Sequence, residues 1–176
     1  MRLLGLSGSL RRDSSNSALL RAAAALAPGG VIVTLFDGIG ELPHMRPDLD
    51  AAAIPSVARL RSAVAAADGL IISCPEYAHG VPGSFKNALD WLVGGPEFLN
   101  KPVAFFNVSE RGSYALASLI ETVTVMAGRV MREGSVTLPL VSGVIDERRI
   151  VEDPGLSELV RGAVGRFAAA VSAAGA

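Results

Sequence analysis

The sequence predicts an α/β domain over residues 1–176, built on a doubly wound, five-stranded parallel sheet with strand order 2-1-3-4-5. Three observations lead there. Short apolar runs alternate five times with stretches of helical period. The runs are almost continuously apolar, which suits strands covered by helices on both faces rather than strands with one wet face. And 176 residues, 50% of them hydrophobic, can bury a full core without disulfides or metals.

Residues 3–7 read as a buried first strand. Leu19, Leu20, Ala23, Ala24 and Ala27 stripe a first helix over residues 17–27, ended by Pro28-Gly29-Gly30. Residues 31–36, apolar and rich in β-branched side chains, make the second strand. Residues 37–55 contain Gly38, Gly40, Pro43, Pro47 and Pro55 and read as a long loop, a feature that is often functional in small domains. Val57, Leu60 and Val64 mark a second helix. Residues 69–74 form the third strand, stopped by Pro75. Phe85, Ala88, Leu89, Leu92 and Val93 follow the template of a third helix. Residues 102–108 give the fourth strand. Leu116, Leu119, Ile120 and Val123 stripe a fourth helix, and residues 130–138 supply a fifth strand. Leu156, Leu159, Val160, Ala163, Val164, Phe167 and Val171 stripe the last helix. In this strand order a ligand crevice lies at the carboxyl edge, where the first and third strands diverge. The loops after strands one, three and four therefore hold the chemistry, whose nature the fold does not specify.

Charge and composition exclude several classes. Sixteen basic against 17 acidic residues leave a formal net charge of −1, and no basic run exceeds two residues. A nucleic-acid binder would need a basic face to displace counterions. Cys74 is the single cysteine, and His44 and His79 are the only histidines, so neither a disulfide nor a cysteine- or histidine-rich metal cluster is expected. No apolar run approaches the roughly 20 residues of a membrane span, and the apolar start is too short for a signal peptide. The expectation is a soluble, cytoplasmic protein.

The first loop, Gly8-Ser9-Leu10-Arg11-Arg12-Asp13-Ser14-Ser15-Asn16-Ser17, runs straight into a helix. Amides at a helix start favour an anion. The hydroxyls of Ser9, Ser14 and Ser17, the Asn16 amide and the planar Arg11 fork would complete a phosphate cradle. A helix cap uses the same residue types, but five of them plus two arginines exceed what a cap needs. The loop lacks the third glycine of a dinucleotide fingerprint and the Gly-Lys-Ser/Thr of a P-loop, so a monophosphate tail fits better than a pyrophosphate.

In the second loop, Pro75-Glu76-Tyr77-Ala78-His79-Gly80-Val81-Pro82-Gly83-Ser84, two prolines and two glycines impose a fixed backbone able to aim amides at a flat heterocycle. Tyr77 offers an aromatic surface. His79 either lines the site or is simply solvated. Trp91 reads as ordinary packing, and Lys86 with Asp90 as an i, i+4 pair. The third loop, Asn107-Val108-Ser109-Glu110-Arg111-Gly112-Ser113, permits close approach of a ligand, with Ser109 either a contact or a helix cap.

Two long motifs, Gly8-Ser9-Leu10-Arg11-x-x-Ser14-x-Asn16 and Pro75-Glu76-Tyr77-x-x-x-x-Pro82-Gly83-x-x-Lys86-Asn87-Ala88-Leu89-Asp90-Trp91, make the chain resemble the NADPH-dependent FMN reductase family. That family has the flavodoxin-like fold and includes quinone, azo-dye and chromate reductases. Leu42-Pro43, Asp48-Leu49 and Asp68-Gly69 also fall where the family expects them. The resemblance implies FMN as cofactor and NADPH or NADH as co-substrate. It implies that Ser9, Arg11, Ser14, Asn16 and Ser17 hold the FMN phosphate. It further implies that Pro75, Glu76, Tyr77, Ala78 and His79 run along the isoalloxazine ring, and that Ser109 is a further flavin contact. Ala78 departs from the pattern, because many members carry Asn there.

The implied activity is hydride transfer from NAD(P)H to FMN, followed by two-electron reduction of a small-molecule acceptor such as a quinone or azo compound. One cavity would serve donor and acceptor in turn, in a ping-pong sequence. No catalytic side chain is obligatory when the cofactor carries the hydride. The resemblance also implies a homodimer or homotetramer, with Ile39, Leu42 and Met45 of the long loop available for an interface. The alternative is a non-catalytic FMN or nucleotide sensor, or an electron carrier. Cys-x5-Arg phosphatase chemistry is excluded because Gly80 occupies the arginine position counted from Cys74. An acidic pair after the first strand, as a receiver domain needs, is absent at Ser7-Gly8-Ser9-Leu10.

Overall fold

Leu3, Leu4 and Leu6 place the first strand, β1 (Arg2–Ser7), at the heart of a parallel sheet. The computed structural model describes residues 1–110, 112–139 and 144–174. After β1 come α1 (Ser15–Ala25), β2 (Ile32–Phe36), α2 (Pro55–Ala66), β3 (Gly69–Ser73), α3 (Gly83–Asp90), β4 (Pro102–Asn107) and α4 (Ser113–Val125). Two short strands, β5 (Arg129–Val130) and β6 (Val136–Thr137), precede α5 (Glu147–Glu152) and α6 (Pro154–Ala174). The sheet order is β2-β1-β3-β4-β5, with β6 also paired to β4, and every pairing among these strands is parallel. Among the described residues no helix is long and apolar enough to cross a membrane.

Successive strand residues point to opposite faces, and the two layers of core follow. Leu3, Ile71, Ala104 and Phe106 pack with Leu19 and Leu20 of α1, Ile150 of α5 and Val160, Val164 and Phe167 of α6. Leu4, Leu6, Leu70, Ile72, Val103 and Phe105 pack with Leu60 and Val64 of α2, Phe85 and Leu89 of α3, and Leu119 and Val123 of α4.

Four expectations need correction. The fifth strand, expected over residues 130–138, is two dipeptides separated by a 3-10 turn at Arg132–Gly134. The reason is α6. A Cβ on Gly134 would lie 2.6 Å from the Phe167 Cβ and 2.8 Å from its Cα, so only glycine lets the turn rest on the helix. Ser135 bridges the break, its hydroxyl accepting from the Phe105 amide at 3.0 Å and donating to the Met131 carbonyl at 3.1 Å. Helix α3 ends at Asp90, which leaves Val93 exposed instead of in the stripe. Leu159 is likewise exposed on α6. Ile39 is buried against the α2 layer and is not available to a second subunit, while Leu42 and Met45 are half-buried. Helix α5 was not expected. Its single buried apolar residue, Ile150, makes no periodicity, and its signal is the Asp146 cap, whose carboxylate accepts from the Arg149 amide at 2.8 Å.

Candidate functional site

The carboxyl ends of β1, β3 and β4 lie side by side, and hydrogen bonds stitch the loops that leave them. The Gly8 amide donates to the Ser73 carbonyl at 2.8 Å. The Ser73 hydroxyl donates to Asn16 Oδ1 at 3.0 Å, both side chains buried. The first loop, the first turn of α1 and the end of β3 are thereby one unit. Gly8 has no room for a side chain, since a Cβ there would fall 2.3 Å from Cys74 Sγ and 3.1 Å from Cys74 Cα.

Within the first loop the expected residues divide. Ser14 is buried and is the N-cap of α1, its hydroxyl accepting from the Ser17 amide at 3.3 Å. Ser17 Oγ shares a 2.8 Å hydrogen bond with Ser7 Oγ, a partner that sequence reasoning missed. Ser9 Oγ accepts from the Arg11 amide at 3.3 Å and so shapes the loop. Ser9 and Ser17 line a cavity of about 390 Å3 with Leu10, Phe36, Ile39 and Gly40, on the β2 side of the loop. Arg11 and Asn16 do not line it. The Arg11 side chain is exposed and, among the described residues, forms no ion pair. It stands ahead of a helix whose first turn carries no acidic residue, where an anion is stabilised.

The second loop closes a tight hairpin. Tyr77 and Gly80 exchange both backbone hydrogen bonds, at 3.0 and 2.9 Å. Ala78 and His79, the two central residues, have φ of 49° and 59°. This is the left-handed geometry of a type I′ turn, which favours Asn, Asp and Gly. Left-handed backbone costs an ordinary L-residue about 1–2 kcal/mol, whereas a stacked ring pair returns about 0.5–1.5 kcal/mol. Ala78→Asn, which restores a residue tolerant of this conformation, should stabilise the fold by about 0.5–1 kcal/mol. Chemical denaturation should show a higher midpoint at unchanged slope; an unchanged or lower midpoint would contradict the strain argument.

Glu76 turns away from the hairpin. Its Oε2 accepts from the Ala115 amide at 2.8 Å and so caps α4 across the loops. Gly112, at the N-cap of α4, makes no side-chain cap bond of its own. His79 stacks on Tyr114, ring centroids 4.3 Å apart and planes inclined by 16°. Tyr77 and Tyr114 are both well exposed, at 58% and 60%. Ser109 is half-buried just beyond β4. Arg111, named with the third loop, lies outside the described residues.

The rest of the second motif anchors the long loop. Asn87 Nδ2 and Trp91 Nε1 both donate to the Pro43 carbonyl, at 2.9 and 2.8 Å. Asn87 Oδ1 accepts from the Met45 amide at 2.7 Å. Lys86 and Asp90 pair at 2.6 Å as expected. Asn87 and Trp91 thus fasten residues 43–45 to α3, and Trp91 is a buried anchor with a satisfied indole.

Burial pushes the Cys74 thiol up to about 12 from its usual 9.0. It is therefore a packing group against Gly8 and not a nucleophile at neutral pH. Between those two values the unfolded chain has released the thiol proton while the folded chain keeps it. Stability must then fall as pH rises through the window, by up to about 1.4 kcal/mol per pH unit. Comparing unfolding free energies of the wild type and Cys74→Ala from pH 9 to 12 checks this. The wild type should lose stability faster, and parallel curves would refute the burial assignment.

A parallel sheet of this order, with its ligand-accessible loops gathered at the β1/β3 switch point, defines the flavodoxin-like class. The chain belongs to the NADPH-dependent FMN reductase family, whose description matches residues 1–142. It is 41% identical over 112 residues to the NAD(P)H-dependent FMN reductase of Pseudomonas aeruginosa, covering 62% of this chain and 60% of that one. It is 49% identical over 85 residues to a 2-hydroxy-1,4-benzoquinone reductase of a Burkholderia species, covering 48% and 45%. The chain thus spans about half the length of the curated relatives it matches. Among solved structures, the flavoenzyme NAD(P)H:(acceptor) oxidoreductase of Paracoccus denitrificans superposes with a TM-score of 0.77 at 27% identity, covering 98% of this chain and 97% of that one.

Proposed function

We propose that residues 1–176 form one FMN-binding domain that acts as an NAD(P)H oxidoreductase on a small-molecule acceptor such as a quinone. The observation that carries this reading is the exposed Arg11 at the start of α1, in a loop tied through Gly8 and Asn16 to the end of β3. The donor set suits an FMN phosphate: a guanidinium that forms no ion pair among the described residues, the Ser9 hydroxyl, and first-turn amides that a helix leaves without intrahelical partners. Glu76 is the one carboxylate among the expected contacts. Its bond to Ala115 engages its charge at the start of α4, so that charge is not left free to oppose the electrons a flavin ring takes up on reduction.

Ser9 and Arg11 hold the phosphate directly. Ser14, Asn16 and Ser17 keep the cradle's backbone in place through the bonds described above. Pro75, Glu76, Tyr77, Ala78 and His79 supply the edge along which the isoalloxazine ring lies, with Ser109 on the neighbouring loop. FMN, when bound, supplies the centre that takes hydride from NAD(P)H and passes two electrons onward. The chain's task is to orient nicotinamide and acceptor in turn over one open face. A homodimer or homotetramer in the cytoplasm, and a ping-pong order, complete the proposal.

The test is reconstitution with FMN followed by initial-rate kinetics with NADPH or NADH and a quinone. Retention of FMN and parallel double-reciprocal plots are expected. Intersecting plots with a detectable ternary complex would overturn the ping-pong order. FMN retention without turnover would favour a sensor. No flavin affinity would overturn the reading altogether. Light scattering showing only monomer would remove the oligomer.

A further inference from the structure

Tyr114 belongs to neither long motif, yet it is the residue on which the second loop leans. It opens the first turn of α4 and stacks on His79 at 4.3 Å. Two features hold this pair in place. The left-handed backbone at Ala78 and His79 swings the imidazole out of the hairpin. The Glu76 carboxylate grips the amide of Ala115, the residue after Tyr114. The ring pair adds nothing to the core: His79 is exposed, and Tyr114 is 60% exposed. Nor does the stack, at about 0.5–1.5 kcal/mol, by itself offset a turn whose two central residues both take left-handed backbone without being glycine. Strain kept in place by its surroundings, at the edge where ligands bind, is the signature of a functional contact. A ring stacked on one side and largely exposed offers its other face to a ligand.

We infer that Tyr114 is a specificity-determining residue. With His79 it forms a two-ring wall, beside the Tyr77–Gly80 turn, that receives flat aromatic-like acceptors such as quinones by stacking and gives no advantage to compact inorganic ones. The inference rests on the proposed FMN-dependent activity and adds to it the residue that favours flat acceptors over compact ones. Aromatic faces prefer offset or edge contacts with other flat rings. A ferricyanide ion has no such face and takes electrons without seating on the wall.

The experiment compares FMN-loaded wild type with Tyr114→Ala, Tyr114→Leu and Tyr114→Phe, using NAD(P)H as donor. The readout is the ratio of kcat/KM for 1,4-naphthoquinone to that for ferricyanide. The Ala and Leu variants should lower this ratio about tenfold, chiefly through the quinone KM, as loss of one stacking contact implies. The Phe variant, which keeps the ring, should stay within about twofold. Because Leu keeps bulk without a π-face, it separates stacking from simple packing. A ratio unchanged in Ala and Leu overturns the inference, as does a Phe variant that falls as far as Ala. A change of oligomeric mass with a constant ratio would assign Tyr114 to a subunit contact and also overturn it. A wild type that takes up no FMN and reduces no acceptor would bring down the proposed function itself. An active wild type with insensitive variants would remove only the role of Tyr114.

Discussion

Gly8→Ala is expected to destabilise the protein by about 1–3 kcal/mol and to weaken FMN binding at the same time. The new Cβ would sit 2.3 Å from Cys74 Sγ, 3.0 Å from Cys74 Cβ and 3.1 Å from Cys74 Cα. A side chain can swing away from such a clash, but a Cα cannot, so the first loop and the end of β3 must part. The amide of Gly8 would then lose its bond to the Ser73 carbonyl, and the Ser73 to Asn16 bond would stretch with it. Urea denaturation measures the stability loss as a lowered midpoint. Adding Cys74→Ala removes the closest of the three contacts and leaves the other two. The double variant should recover part of the loss, and the two substitutions should be non-additive. Full additivity would mean that the thiol is not the obstacle. Normal stability in Gly8→Ala alone would mean that the loops are not held together here.

Arg11→Ala should leave folding stability within about 0.5 kcal/mol, because the side chain is exposed and forms no ion pair among the described residues. Its expected effect is on the ligand. Loss of a charge-assisted hydrogen bond to a phosphate costs on the order of 1.5–3 kcal/mol, or roughly one to two decades in Kd for FMN. Riboflavin, which lacks the phosphate, should bind the variant and the wild type alike. The wild-type preference for FMN should also shrink with added salt, since an exposed charge pair is screened within about 10 Å at 0.1 M ionic strength. Equal weakening of both ligands would show that Arg11 shapes the loop instead of meeting the phosphate.

Gly8 and Arg11 stand close together in one motif, yet the motif suggests a role for Arg11 alone. Arg11 at a helix start reads as an anion contact in the sequence alone, because a cation beside free first-turn amides favours negative charge. Gly8 looks like a turn glycine, and nothing local says that Cys74 will lie against it. The same contrast runs through the fold. The four long strands were readable because continuous apolar runs of five or six residues have few alternatives. The stretch after Val130 was not, because its apolar residues look like a strand while Gly134 is there for the sake of Phe167 on α6. Helix α5 was illegible because one buried residue carries no period.

The sequence by itself determined the alternation of strand and helix, the parallel order of the sheet, the edge where the loops gather and the family to which the chain belongs. Each of these follows from patterns that repeat within a few residues or from motifs read as a string. Tertiary structure decided which polar residues face outward and which hold the frame. Asn16 is bonded to Ser73, 57 residues away, Glu76 caps Ala115 at a separation of 39, and Trp91 reaches Pro43 across 48. Tyr114 meets His79 only because β4 returns beside β3 and starts α4 over the hairpin. A buried polar group must find a partner, but spacing within a motif does not say where that partner lies. The choice between binding a ligand and bonding another loop is made by the packing of strands that are neighbours in space and distant in sequence.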